Sequence, residues 1–180
     1  VIKVFISKRQ DVIFFLSMDI YLKNKFIYYD NYKIKCAIGK RGISSQKKEG
    51  DKCTPRGRFE IKYIFYRKDR VKKLISTIKK IPIKKNYAWC DDIKSNKYNK
   101  LVKLPFKYGA EKLFLKNNTY DIIVVIDYNL NPIKKGKGSA IFLHVAKKNF
   151  NPTLGCIALS KKKLKFLLAN ITKKSYINIV

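Results

Sequence analysis

The sequence predicts a mainly β protein, a sheet-built sandwich or barrel with about two short α-helices, and three observations lead there. Short runs rich in Ile, Val, Phe and Tyr recur along the 180 residues. Turn residues separate most of them. The alternation in "FEIKYIFY" (59–66) suits a strand with one solvated face.

In chain order, strands are expected in "IKVFI" (2–6), "VIFFL" (12–16), "KFIYY" (25–29), "YKIKCAIG" (32–39), "RFEIKYIFY" (58–66), "YDIIVVIDY" (120–128), "SAIFLHV" (139–145) and "SYINIV" (175–180). The spacing predicts a first helix over 71–80, where Val71, Leu74, Ile75 and Ile78 share a face and Pro82 stops the run. A second is expected over 160–170, with Ser160 as N-cap, an apolar face of Leu164, Leu167 and Leu168, and Asn170 at the exit. Three lysines in its first turn oppose the helix dipole, so that helix depends on packing. Residues 39–57, 89–100 and 127–138 read as loops. With no internal repeat and no Pro- or Ser-rich linker, residues 1–180 are taken as one domain.

Composition narrows the function. Hydrophobic residues make up 46% and aromatics 13%, enough for a packed core. The balance of 42 Lys and Arg against 12 Asp and Glu gives a formal net charge of +30, a field that attracts nucleic acid, anionic headgroups or an acidic wall polymer. Arginine is scarce beside lysine, which counts against specific nucleic-acid readout. No segment approaches the ~20 apolar residues of a membrane span. The sequence starts at Val1 and shows no export signal in its first residues. Cys36, Cys53, Cys90 and Cys156 include no CxxC pair, and His144 is the single histidine, so a zinc site is not expected.

The chemistry concentrates in "GSAIFLHVAKKNFNPTLGCIALS" (138–160). A cysteine nucleophile needs a base to take its proton and amide hydrogens to hold the oxyanion formed on attack. His144 ends a predicted strand, and Cys156 follows a loop closed by "PTLGC", where Gly155 lets the backbone turn tightly. Taken alone, the two residues read as a satisfied histidine and an inert buried thiol sooner than as a base and its nucleophile.

The wider pattern resembles the L,D-transpeptidase catalytic domain family, also called YkuD or ErfK/YbiS, in a compact proteobacterial branch. The likeness rests on a TPxGxF element (Thr54, Pro55, Gly57, Phe59), the strand ending in His144, and a [Ser/Thr]-x-Gly-Cys signature of Thr153, Gly155 and Cys156. It implies a β-rich, sandwich-like catalytic fold acting on peptidoglycan stem peptides without a cofactor. Cys156 would be the nucleophile and His144 the general base. Amides near Gly155 and Cys156 would be oxyanion donors, and Thr153 would shape the turn. The acyl group would end in a 3→3 cross-link, or, if water resolves the thioester, the protein would be an L,D-carboxypeptidase. Two departures stand out: Leu154 precedes the Gly-Cys pair where relatives often carry His or Thr, and Ala158 stands where many carry an Arg that can meet a substrate carboxylate.

Several further residues are candidate substrate contacts. Asp91, Asp92, Tyr98 and Asn99 either line a cleft that meets an ammonium or hold a loop by Asx-type bonds. Trp89 is a peptide platform or a core residue, and Arg56 and Arg58 are either the carboxylate contact that Ala158 lacks or solvated strand-end arginines. A monomer is expected, with peptidoglycan stems as partner and no specific nucleic acid. Transpeptidation implies the periplasm or wall and therefore export; trimming of recycled peptides could occur in the cytoplasm. The rival of another class is a basic module binding wall polymer or nucleic acid, with a vestigial Cys–His pair.

Overall fold

The computed structural model describes residues 19–180. The expected strands over 2–6 and 12–16 lie outside the described residues. The strands are β1 (Ile20–Lys23), β2 (Phe26–Tyr29), β3 (Tyr32–Ala37), β4 (Ile43–Ser44), β5 (Thr54–Pro55), β6 (Gly57–Tyr66), β7 (Lys80–Pro82), β8 (Tyr87–Cys90), β9 (Leu101–Lys103), β10 (Ala110–Lys112), β11 (Ile122–Ile126), β12 (Phe142–Val145), β13 (Ile157–Leu159) and β14 (Tyr176–Ile179). One α-helix, α1 (Lys161–Asn170), precedes β14, and a 3-10 turn covers Lys148–Phe150.

The main sheet runs β11-β12-β13-β3-β2-β1-β14-β6-β7, and β6 also pairs with β11, so the order closes into a ring. Strand β6 makes the closure because it is ten residues long: its first half pairs with β14 and its second with β11. A register shift between Val125 and Ile126 lets it change direction there. Period-2 alternation sends Ile20, Leu22, Ile34, Ile64, Val124 and Leu143 into one apolar cluster, which α1 joins through Leu164, Leu167 and Leu168. Each such fully buried side chain contributes roughly 2 kcal/mol. The opposite faces of β11 and β12 are apolar as well, and Ile123, Val125 and Phe142 pack there with Trp89 and Leu113. Strands β8 and β10, paired in a second, three-stranded sheet, carry Trp89 and Glu111 opposite each other and cover this outer face. That is why β11 and β12 read as continuous apolar runs and not as alternating ones.

Helix α1 forms where the sequence places it, with Ser160 Oγ accepting from Lys163 N–H. The helix expected over 71–80 does not form; this run is irregular and ends as edge strand β7. Its apolar residues do not share a face, since Val71 and Ile78 are buried while Ile75 is 59% exposed. Ser76 Oγ accepts from Ile78 N–H, a local bond that competes with the helical ladder, and the β-branched Ile75, Thr77 and Ile78 add no helical preference. Two of the expected loops are also partly strand: Trp89 and Cys90 end β8, and 39–57 holds the short β4–β5 pair. No helix among the described residues is long and apolar enough to cross a membrane.

Candidate active site

Strands β12 and β13 run parallel, with Leu143 opposite Ile157 and His144 opposite Ala158. Cys156 stands one residue before β13, beside Phe142, whose N–H points at Cys156 Sγ at 3.4 Å. Side chains two apart on a strand share a face, so His144 lies on the same outer face as Phe142 and Cys156. Imidazole and thiol therefore project from neighbouring strands, offset by one two-residue step of about 6.6 Å along the strand. Both open into one cavity of about 790 Å³.

The loop before Cys156 is held from three sides. Thr153 Oγ1 donates to Cys156 O at 2.6 Å and accepts from Gly155 N–H at 3.1 Å. The Thr153 backbone is tied to the segment that follows β3, its N–H donating to Ile38 O and its carbonyl accepting from Lys40 N–H, each at 2.9 Å. Gly155 sits at φ +142°, and a Cβ there would lie 2.9 Å from Cys53 O and 3.1 Å from Ile141 Cδ1. Only glycine fits that backbone against that neighbour. Thr54, fully buried in β5, donates to Gly155 O at 2.8 Å and accepts from Gly39 N–H at 2.9 Å. The upstream Thr-Pro element thus braces the turn that carries the cysteine.

His144 is 6% exposed, and its Nδ1 lies 2.9 Å from Val145 O. A carbonyl can only accept, so the neutral ring carries its proton on Nδ1 and leaves Nε2 as the basic atom. Burial pushes the imidazole down to about 4; the Val145 bond works against that shift and the Lys147 charge adds to it. Burial pushes the Cys156 thiol up to about 12, the Glu111 charge adds, and the Phe142 N–H and Lys47 oppose. At neutral pH the resting pair is a thiol and a neutral imidazole, not a thiolate–imidazolium pair. The thiol donates to Ala140 O at 3.0 Å. Ala140 has φ +51° and is held there by Asn99 Oδ1, which accepts both the Ala140 N–H at 3.1 Å and Trp89 Nε1–H at 2.8 Å.

Only some of the candidate contacts reach the cavity. Cys156, His144, Thr153 and Asp91 line the cavity. Asn99 and Tyr98 support it from beneath: Tyr98 is 1% exposed, donates to Glu49 Oε2 at 2.5 Å and accepts from Gly138 N–H. Trp89 is a core residue, 2% exposed and edge-on to Phe142 at 5.2 Å, and no platform. Asp92 caps its own loop, accepting from Lys94 N–H and Gly109 N–H. Arg58 is paired with Asp19 at 3.1 Å and stacked on Tyr176, and Arg56 is exposed; neither lines the cavity. The Gly155 N–H, expected as an oxyanion donor, is taken by Thr153 Oγ1 at 3.1 Å.

Residues that sequence reasoning missed complete the walls. Lys47 is buried, paired with Asp51 at 2.5 Å, and fits because Gly138 has no side chain: a Cβ there would meet its chain at 3.1–3.3 Å. Glu111 and Tyr120 also face the cavity, joined by a Tyr120 O–H to Glu111 Oε1 bond of 2.6 Å. The available signal was rarity: Glu111 is one of 12 acidic residues in a very basic chain. Among the described residues, no His, Cys, Asp and Glu group could hold a metal ion, and the four cysteines are free thiols.

Residues 5–179 match the family model of the L,D-transpeptidase catalytic domain, YkuD. No curated protein matches the sequence. Among solved structures, L,D-transpeptidase 1 of Mycobacterium tuberculosis is similar at 12% identity and a TM-score of 0.44, over 91% of this chain and 59% of that one. The chain thus spans about three fifths of the length of that structure.

Proposed function

The chain belongs to the YkuD family of L,D-transpeptidase catalytic domains, and from that premise we propose that it is a cysteine acyltransferase acting on peptidoglycan stem peptides. The observation that carries this reading is the shared face of β12 and β13, where His144, with Nε2 free, and Cys156 open into one cavity. In the proposed reaction Cys156 Sγ attacks the carbonyl of the third stem residue. Rotation about Cβ–Sγ swings the S–H away from Ala140 O, and His144 Nε2 takes the proton as the C–S bond forms. Because the pair rests neutral, proton transfer and attack are concerted.

The Cys156 N–H, fixed by the Thr153–Gly155 turn, would hold the oxyanion. Collapse breaks the C–N bond to the terminal D-Ala, whose nitrogen receives the proton from His144. A thioester remains. An amine of a neighbouring stem then attacks it, giving a 3→3 cross-link and returning the thiol. Cross-linking of this substrate would require the periplasmic or wall side of the membrane.

The test is mass spectrometry of tetrapeptide muropeptides incubated with the protein and with Cys156→Ala. A stem dimer absent with the variant supports cross-linking. Tripeptide plus free D-Ala without dimer identifies a carboxypeptidase. No cysteine-dependent product removes the reading and favours a basic binding module.

A further inference from the structure

Glu111 is the feature of the cavity that the Cys–His chemistry leaves unused. It sits on β10 opposite Trp89 of β8, so the covering sheet delivers its carboxyl to the outer face of β12, where His144 and Cys156 project. Among the described residues its side-chain hydrogen-bond partner is a neutral phenol: Tyr120 O–H donates to Oε1 at 2.6 Å. Tyr120 is itself 5% exposed and packs edge-on against the His144 ring, with centroids 5.4 Å apart and planes at 81°. The carboxyl is therefore oriented by the same side chain that abuts the base. Of the ion pairs among the described residues none involves Glu111, although the chain holds 42 Lys and Arg.

A half-buried carboxyl beside a thiol harms the first half of the reaction. Its charge adds to the burial that raises the thiol, so it opposes thiolate formation. Burial and the neighbouring Asp91 charge raise the Glu111 carboxyl in turn, against the Tyr120 bond. A group that hinders acylation and lacks a cationic partner is accounted for if it serves the second half, where a cation arrives. The acceptor of a cross-link is a primary amine, and at neutral pH it enters as an ammonium with no lone pair to attack. It must lose one proton before attack and a second afterwards. His144 can take only one of these.

We propose that Glu111, oriented by Tyr120, is the catalytic residue that receives the acceptor ammonium at the thioester and takes its first proton. This rests on the acyltransferase reading above. In the step, R–NH3⁺ and the Glu111 carboxylate become R–NH2 and a carboxylic acid. The amine lone pair attacks the thioester carbonyl, forming the C–N bond. The second N–H proton passes to His144 Nε2 and from there to the departing Cys156 sulfur as the C–S bond breaks. The proton held by Glu111 is then available to the D-Ala amine released in the next acylation, which leaves as an ammonium. The cycle thus consumes and releases no net proton. Asp91, on the same cavity wall, extends the negative region along which the ammonium approaches.

The experiment compares wild type, Glu111→Gln and Tyr120→Phe with purified tetrapeptide muropeptides, once alone and once with hydroxylamine, a nucleophile largely unprotonated at neutral pH. Thioester, dimer, tripeptide and hydroxamate are all measured by mass spectrometry. Glu111→Gln keeps an acceptor oxygen for the Tyr120 hydroxyl. Its dimer yield should fall at least tenfold more than its hydroxamate yield. Tyr120→Phe, which keeps the ring against His144, should shift the same ratio in the same direction by a smaller factor. Equal losses of dimer and hydroxamate, or an unchanged ratio in both variants, overturn the role of Glu111. A wild type that forms the thioester but never a dimer also overturns it while leaving the acyltransferase reading in place. A wild type that forms no thioester removes both.

Discussion

The Thr54 hydroxyl donates to the Gly155 carbonyl at 2.8 Å while accepting from Gly39 N–H, across 101 residues of sequence. The two short motifs that mark this chain are therefore one structural unit. The first is the brace of the turn that presents Cys156, and it contributes no group to the cavity wall.

Thr54→Val preserves shape but strands a buried N–H and a buried carbonyl. It should lower stability by about 2 kcal/mol in urea unfolding. Product formation should fall further than the loss of folded protein explains, because the Gly155 turn is no longer held. Thr54→Ser should restore most of both.

Gly155→Ala should be worse. Its Cβ would lie 2.9 Å from the Cys53 carbonyl oxygen at a φ of +142°, so backbone on one side or the other must move. Loss of thioester formation by two orders of magnitude or more is expected, together with a lower thermal midpoint. An alanine variant with normal turnover would show that the turn is not needed in this form.

Asn99→Ala removes the oxygen that serves both Trp89 Nε1–H and Ala140 N–H, at a residue whose own φ of +55° suits Asn better than Ala. A stability loss of about 2–4 kcal/mol is expected from the two stranded donors and the backbone strain. Alkylation of Cys156 should change rate as well, because the carbonyl that takes its S–H belongs to Ala140.

The neutral resting pair gives two pH signatures. His144 binds its proton only near pH 4 in the folded chain but near its ordinary value of 6.5 when unfolded. Between those values the unfolded state holds more protons, so stability should decline as pH falls from about 6.5 toward 4 and level off below. The His144 share is roughly 3 kcal/mol and should be missing from the slope in His144→Gln. For the same reason, turnover should stay nearly flat from pH 8 to pH 6, where a histidine with its ordinary pKa would already be protonating. Alkylation of Cys156 should keep rising through pH 10, following a thiol pushed up to about 12.

Much of this was legible in the sequence. Short runs rich in Ile, Val, Phe and Tyr marked β2, β3, β6, β11, β12 and β14, and Ser160 marked the start of α1. The spacing of His144 and Cys156 did not by itself separate a catalytic pair from a buried thiol; their shared face comes from the parallel pairing of β12 with β13. What failed did so for physical reasons. Residues 71–80 carry an i, i+3, i+4 pattern, but tertiary pairing of Lys80 with Ile64 on β6 draws the segment into an edge strand. Arg56 and Arg58 sit beside the motif in sequence, yet strand β6 carries Arg58 to its pairing with Asn178 on β14, away from the cavity. Glu111 reaches the site only through the pairing of β10 with β8 and the packing of that sheet on β12, where it meets Tyr120 from the turn before β11. No local pattern encodes such a contact.

The most direct measurement is the intact and peptide-level mass of the protein trapped during incubation with a tetrapeptide stem. The account predicts an adduct of the stem tripeptide, acylated with loss of D-Ala, on the peptide that contains Cys156. It should be absent in Cys156→Ala and strongly reduced in His144→Gln. An adduct carried by Cys53, or turnover that persists without Cys156, would contradict the account.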